Sequence, residues 1–263
     1  MSKNNENRPV FIHAMFRTGS TYLWDKFRKD KRFHCYYEPL HEDLAVLAKD
    51  NIDIWGYRES RSMRHPELNI PYHAEYEHLL NGSDPGVPYF KKAFSYDQFC
   101  RTRADRAMKR YIDLLICSCG KKIPVLQFNR TSCRIKWFKE SYPDSINLYL
   151  FRDPRDQWQS FLEIKKIFAN IFPALTLLTA SKNKEHEKFK HIKEYVPLCK
   201  YTEDTFAREN IFYHTIAEAY NDEELYFIFY YIWLVSLLDS IKHSDYIVPD
   251  RKPLFEEYFL PMS

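Results

Sequence analysis

Two strand-to-helix junctions constrain this chain more than any other feature. The sequence is apolar from Val10 to Ile12 and largely so to Phe16. It then breaks into Arg17, Thr18, Gly19, Ser20 and Thr21, before Leu23, Trp24 and Phe27 recur at helical spacing. It is apolar again from Leu148 to Phe151. Arg152 ends that run, and Asp153 and Pro154 follow as a suitable N-cap and first helical residue. Short apolar runs without alternation read as strands buried on both faces, which belong to parallel sheets. Ligands of such sheets bind beyond the carboxyl ends of the strands, where both turns fall.

The alternation continues along the chain. Strands are predicted at Pro9 to Ala14, Phe33 to Tyr37, Ile123 to Phe128, Ile146 to Phe151 and Tyr246 to Val248. Helices are predicted at Ser20 to Lys29, 41–50, Tyr96 to Cys119 (stopping at Gly120), Ser132 to Tyr142 and Pro154 to Phe168. From Ile171 to His243 the chain reads as almost wholly helical. Residues 51–95 carry Pro66, Pro71, Pro85 and Pro88 and read as an insertion or lid with short helices. The expected fold is α/β: three layers around a central parallel sheet, with a helix-rich C-terminal half. No linker or repeat divides the chain, so 1–263 is read as one domain with a loose tail at 1–8.

Composition narrows the partners. A net charge of +3 is too small to argue for nucleic acid. The six cysteines are scattered without a CxxC pair, so no metal site is expected and buried free thiols are the plain reading. Residues 1–8 hold no apolar signal core. Leu225 to Leu238 is shorter than the about 20 residues of a membrane span and reads as a core helix. A cytoplasmic protein without a membrane span is expected.

Both turns have the chemistry of anion sites. Gly19 permits a positive φ or close backbone approach. Ser20 is expected to cap the helix, whose N–H groups and dipole favour an anion. Thr18, Ser20 and Thr21 add hydroxyls, and Arg17 adds a charge. The ATP-type loop Gly-x4-Gly-Lys-Ser/Thr is absent, which argues against a kinase. In the second turn, Arg152 at the strand end and Ser160 on the helix can converge on one phosphate. The plainer alternatives are a structural turn at Gly19 and an Arg152 paired with Asp153 or Asp156. Two anion sites in one α/β domain point to a nucleotide with phosphates at both ends.

These residues resemble the sulfotransferases that use PAPS (3'-phosphoadenosine 5'-phosphosulfate) as sulfate donor. Arg17 to Thr21 is similar to that family's 5'-phosphosulfate loop, with Arg at the basic position as in the carbohydrate sulfotransferase branch. Arg152, Asp153, Pro154 and Arg155, followed by Ser160, are similar to its 3'-phosphate motif. The resemblance runs over about residues 9–40 and 123–162. It implies the P-loop-type fold and a metal-free transfer to a small-molecule or carbohydrate acceptor bearing a hydroxyl or amine. The 5'-phosphate would lie on Arg17, Thr18, Gly19, Ser20, Thr21 and Tyr22, with Arg17 stabilising the leaving oxygen. Arg152 and Ser160 would take the 3'-phosphate.

The acceptor must lose a proton, so a base is required near the sulfate. Tyr37 to Leu40 looks like a segment of some family members, on a strand expected to end beside the first loop. Glu38 is the first choice for base, His41 the second and His13 the third. Alternatively, Glu38 only neutralises Arg17. Asn129 and Arg130, ending the strand from Ile123, are further candidates to face the ligand. One departure is the C-terminal lid: Arg251 and Lys252 are present without the glycine such loops carry. Arg101, Arg103, Arg106, Lys109 and Arg110 form a basic face, read first as solvated surface. Trp55, Tyr57, Tyr72 and Tyr76 are read as acceptor-stacking or core residues.

Overall fold

A computed structural model describes residues 8–54, 65–66, 68–82, 84–101, 103, 105–165, 171–195, 198 and 219–249. Its centre is an all-parallel sheet of five strands: β1 (Val10–Ala14), β2 (Phe33–Tyr37), β3 (Ile123–Phe128), β4 (Ile146–Phe151) and β5 (Tyr246–Pro249). The strand order is β2-β3-β1-β4-β5. The α/β expectation holds, and the strands lie where the apolar runs placed them. Every residue of β1 is buried, as a central parallel strand with both faces covered requires.

The pleat sorts β1 between two layers. Val10, Ile12 and Ala14 join Leu23 and Trp24 of α1 (Ser20–Arg28), with Val125, Leu148 and Leu150. Phe11 joins Met108, Tyr111, Ile112 and Leu115 of α2 (Arg106–Cys117), and Trp137 and Phe138 of α3 (Ile135–Ser141). A third cluster gathers α4 (Pro154–Lys165), α5 (Ile171–Asn183) and α7 (Asp222–His243). A short α6 (Ile192–Tyr195) precedes α7.

Three expected elements differ. Residues 41–50 hold a single 3-10 turn, Glu42–Ala45. The predicted helix from Tyr96 begins only at Arg106, because the Asp105 side chain accepts from the N–H groups of Ala107 and Met108 and fixes the start there. The described part of 51–95 is wall rather than lid. It holds 3-10 helices at Ala74–Leu79 and Lys92–Phe94, with Tyr76, Leu80, Val87 and Phe94 in the core beside Tyr36 and Leu40. Arg28 anchors this wall, pairing with Glu75 at 2.6 Å while lying 4.7 Å over the Trp24 ring. Tyr72 and Tyr76 are therefore core residues. Trp55, Tyr57, the tail 1–7 and the lid candidates Arg251 and Lys252 lie outside the described residues.

α7 is long and apolar enough to cross a membrane by length and composition, and 39% of that window is buried. Leu225, Ile228, Phe229, Ile232 and Trp233 pack inward, and Tyr230, Leu234, Leu238 and Ile241 are exposed. The basic face is held at the surface. Lys109 pairs with Asp113, Arg101 with Asp105, and Arg110 stacks 3.7 Å from the Tyr89 ring centroid.

His13 sits mid-sheet. Its Nδ1 lies 2.7 Å from Thr131 Oγ1 and its Nε2 3.1 Å from Asn147 Oδ1, with Phe128 and Phe138 against the ring. Burial drives its pKa down from 6.5 to about 4, against the opposing bond from Asn147. The folded state thus binds fewer protons than the unfolded one between these values. His13 stabilises fully above pH 6.5, and that stability drains away as pH falls toward 4. We expect the loss to reach about 3 kcal/mol. Denaturant unfolding of the native chain and His13→Gln across this range checks it; equal slopes against pH would refute the assignment.

Candidate functional site

The first turn is built by unusual backbone. Arg17 has φ 65° and Gly19 has φ 82°, so two left-handed residues flank Thr18. For arginine this conformation costs roughly 1–3 kcal/mol, and such strain collects at binding sites. Gly19, not Ser20, is the N-cap of α1, and no side chain caps the helix. The N–H groups of Tyr22 and Leu23 turn back to Gly19 O at 3.0 and 3.3 Å. The N–H groups ahead of them, on Ser20 and Thr21, belong to the first turn, where an α-helix offers N–H groups with no partner inside the helix.

The hydroxyls expected to reach the ligand are engaged elsewhere. Thr18 Oγ1 donates to Met15 O at 3.0 Å. Ser20 Oγ donates to Asn129 Oδ1 at 3.0 Å and accepts from Gln127 Nε2 at 3.1 Å. Thr21 Oγ1 lies 3.3 Å from Tyr37 OH. These groups shape the loop. Tyr22 closes the turn with its N–H, and its exposed ring lies 5.1 Å from Lys26 Nζ.

The second turn behaves as its sequence indicates. Asp153 Oδ1 accepts from Arg155 N at 2.9 Å, capping α4 at Pro154. Gln157 of α4 is buried and donates to Phe16 O, which fastens this helix to the first loop. The two turns then meet. Arg17 Nε donates to Ser160 Oγ at 3.0 Å, and an Arg152 guanidinium N–H lies 3.3 Å from Arg17 O. Arg17, Arg152, Asp156, Gln159, Ser160 and Glu163 line one open pocket of about 330 Å³. Trp233 of α7 donates to Arg152 O at 3.0 Å and braces it from behind.

Glu38 lies at a second focus on the same sheet edge. β3 runs between β2 and β1, yet the end of β2 still reaches the first loop, where Tyr37 OH lies 3.3 Å from Thr21 Oγ1. A second link runs through the residues that follow β3. Asn129 N donates to Glu38 Oε2 at 3.3 Å, and the Asn129 side chain accepts from Ser20. Glu38 is left-handed at φ 46° and begins a turn closed by His41 N on Glu38 O at 2.8 Å. Its carboxylate pairs with Arg130 at 2.8 Å, and Arg130 also reaches Glu42 at 2.9 Å. Arg130 is the structural partner that the sequence did not assign to Glu38.

Arg130 lies 5.2 Å from the Phe16 ring centroid and 5.1 Å from that of Tyr96. Burial alone would weaken its charge, but Glu42, Tyr96 and Glu38 outweigh it and raise its pKa. Burial likewise pushes Glu42 up, yet Arg130 and His41 more than offset this and bring it down to about 2. His41 caps the Glu42–Ala45 turn, accepting from Asp43 N at 3.2 Å through Nδ1, which is also 3.6 Å from the Asp43 carboxylate. The third choice, His13, has both ring nitrogens engaged at full burial, so it cannot meet an acceptor. No cluster of three or more metal-binding side chains occurs among the described residues.

Comparisons with known families, with curated proteins and with solved structures found no match to this chain.

Proposed function

We propose that this protein is a sulfotransferase that moves a sulfuryl group from PAPS to a hydroxyl or amine, without a metal. The observation that carries the reading is the meeting of Arg17, Arg152 and Ser160 in one pocket, from motifs more than 130 residues apart. A single phosphate would need only one of these turns. A nucleotide with a 3'-phosphate and a 5'-phosphosulfate uses both.

In this mechanism the acceptor oxygen or nitrogen forms a bond to sulfur as the bond from sulfur to the 5'-phosphate oxygen breaks. The electron pair stays on that oxygen, giving 3',5'-ADP. Arg17 and the N–H groups of the first turn stabilise the charge developing there. Glu38 takes the acceptor proton, so charge and atoms balance. The Arg130–Glu38 ion pair favours a second reading, a protein that binds the nucleotide without turnover.

Thermal unfolding with 3',5'-ADP, 5'-ADP and Mg-ATP tests the assignment. A ligand at about 100 times its dissociation constant adds ~2.7 kcal/mol. We expect the melting point to rise with 3',5'-ADP and to rise far less with the others. A rise with Mg-ATP alone would reverse the conclusion in favour of a kinase or ATPase. Binding of 3',5'-ADP without PAPS turnover across an acceptor panel would select the second reading.

A further inference from the structure

The buried arginine between two carboxylates carries a further inference, which rests on the sulfotransferase reading. We propose that Glu42 is a positioning residue for the base: it keeps Arg130 neutralised while Glu38 takes up the acceptor's proton. The side chain of Arg130 is 2% exposed and that of Glu38 4%. Arg130 donates one guanidinium N–H to Glu38 at 2.8 Å, while its other terminal nitrogen lies 2.9 Å from Glu42. With one carboxylate, protonating Glu38 would leave a buried cation without its counter-charge, which the interior resists. With two, the same event takes the group from a net charge of −1 to neutral. The proton can then be accepted and later released.

The placement of Glu42 suits this task. Its side chain is only part-buried at 35% exposed, and Arg130 beside it outweighs that burial and holds its pKa at about 2, so it stays ionised across the working range. Ser95 donates to it at 3.3 Å from the opposite wall. Other titratable groups surround the pair, among them Arg134, whose guanidinium donates to Arg130 O at 2.8 Å. His41 and Asp43 lie in its own turn, and His73 packs 6.4 Å from His41. Tyr96 lies against Arg130. Tyr76 donates to Tyr37 O and Tyr111 to Pro39 O, and burial keeps both phenols protonated.

The test reads protonation directly and needs no acceptor. The Glu38 carboxylate, labelled with 13C and assigned through Glu38→Gln, is titrated by NMR in the native chain, Glu42→Gln and Glu42→Asp. His41→Asn in each background removes the neighbouring imidazole. With Glu42 neutral, Glu38 becomes the carboxylate that balances Arg130, and its protonation midpoint should fall by about one pH unit or more. Glu42→Asp keeps the charge and should restore most of it. An unmoved midpoint in Glu42→Gln overturns the proposal. Should that variant not fold, Glu42→Ser makes the same neutral replacement with room for water. Melting-point shifts with 3',5'-ADP run in parallel. Their absence in the native chain rejects the sulfotransferase reading, whereas their presence with an unmoved midpoint rejects this inference alone.

Discussion

Glu38→Gln should lower sulfuryl transfer by about 10²–10⁴-fold, the contribution of a positioned general base. Binding of 3',5'-ADP should be unchanged. The amide keeps the volume of the carboxylate and can still accept from Asn129 N. Arg130 keeps Glu42 as counter-ion, so the variant should not be left with an uncompensated buried charge. The loss therefore belongs to the proton and not to the fold. The measurement is 3',5'-ADP release from PAPS on an acceptor the native protein uses, beside calorimetric binding of 3',5'-ADP. Turnover within twofold of native would remove Glu38 from the chemistry.

Arg152→Ala should abolish the preference for 3',5'-ADP over 5'-ADP. Truncating one partner of a hydrogen-bonded charge pair costs about 2 kcal/mol or more, so affinity for 3',5'-ADP should fall at least ~30-fold. Affinity for 5'-ADP should change little, since the first turn keeps its backbone donors. Arg152→Lys retains charge but not the two-pronged geometry and should fall between the two. Calorimetry with both nucleotides reads the result. An equal loss for both would mean that Arg152 acts only by holding Arg17 O, which lies 3.3 Å from its guanidinium.

The strands were legible because burial on both faces writes itself as nearly continuous apolar runs, as in β1 and β4, each broken by one polar residue, His13 and Asn147, which bond each other. Asp153 and Pro154 announced their helix equally well, since capping is a matter of neighbours in sequence. The Arg130–Glu38 pair was not legible. Its members are 92 residues apart, and what joins them is the placement of β3 between β2 and β1. Strand order depends on packing across the whole sheet, which no local pattern records. The hydroxyls of Thr18, Ser20 and Thr21 mislead for a related reason. A sequence names the donor but not its acceptor, and Met15, Asn129 and Tyr37 claim all three. The wall of residues around Tyr72 and Tyr76 resembles a loop because its 3-10 turns and prolines hide how completely the aromatic rings are covered.

The central position of β1 has a consequence for how the protein is made. Both neighbours of this strand come from far downstream, and 118 residues separate His13 from its partner Thr131. At about 5–20 residues per second, a ribosome needs roughly 6–24 s to deliver that partner. For that interval an apolar strand stands outside the ribosomal tunnel with no sheet to join. Fragments ending before β3 leave Val10 to Ala14 without either strand neighbour and should be among the chain's most aggregation-prone products.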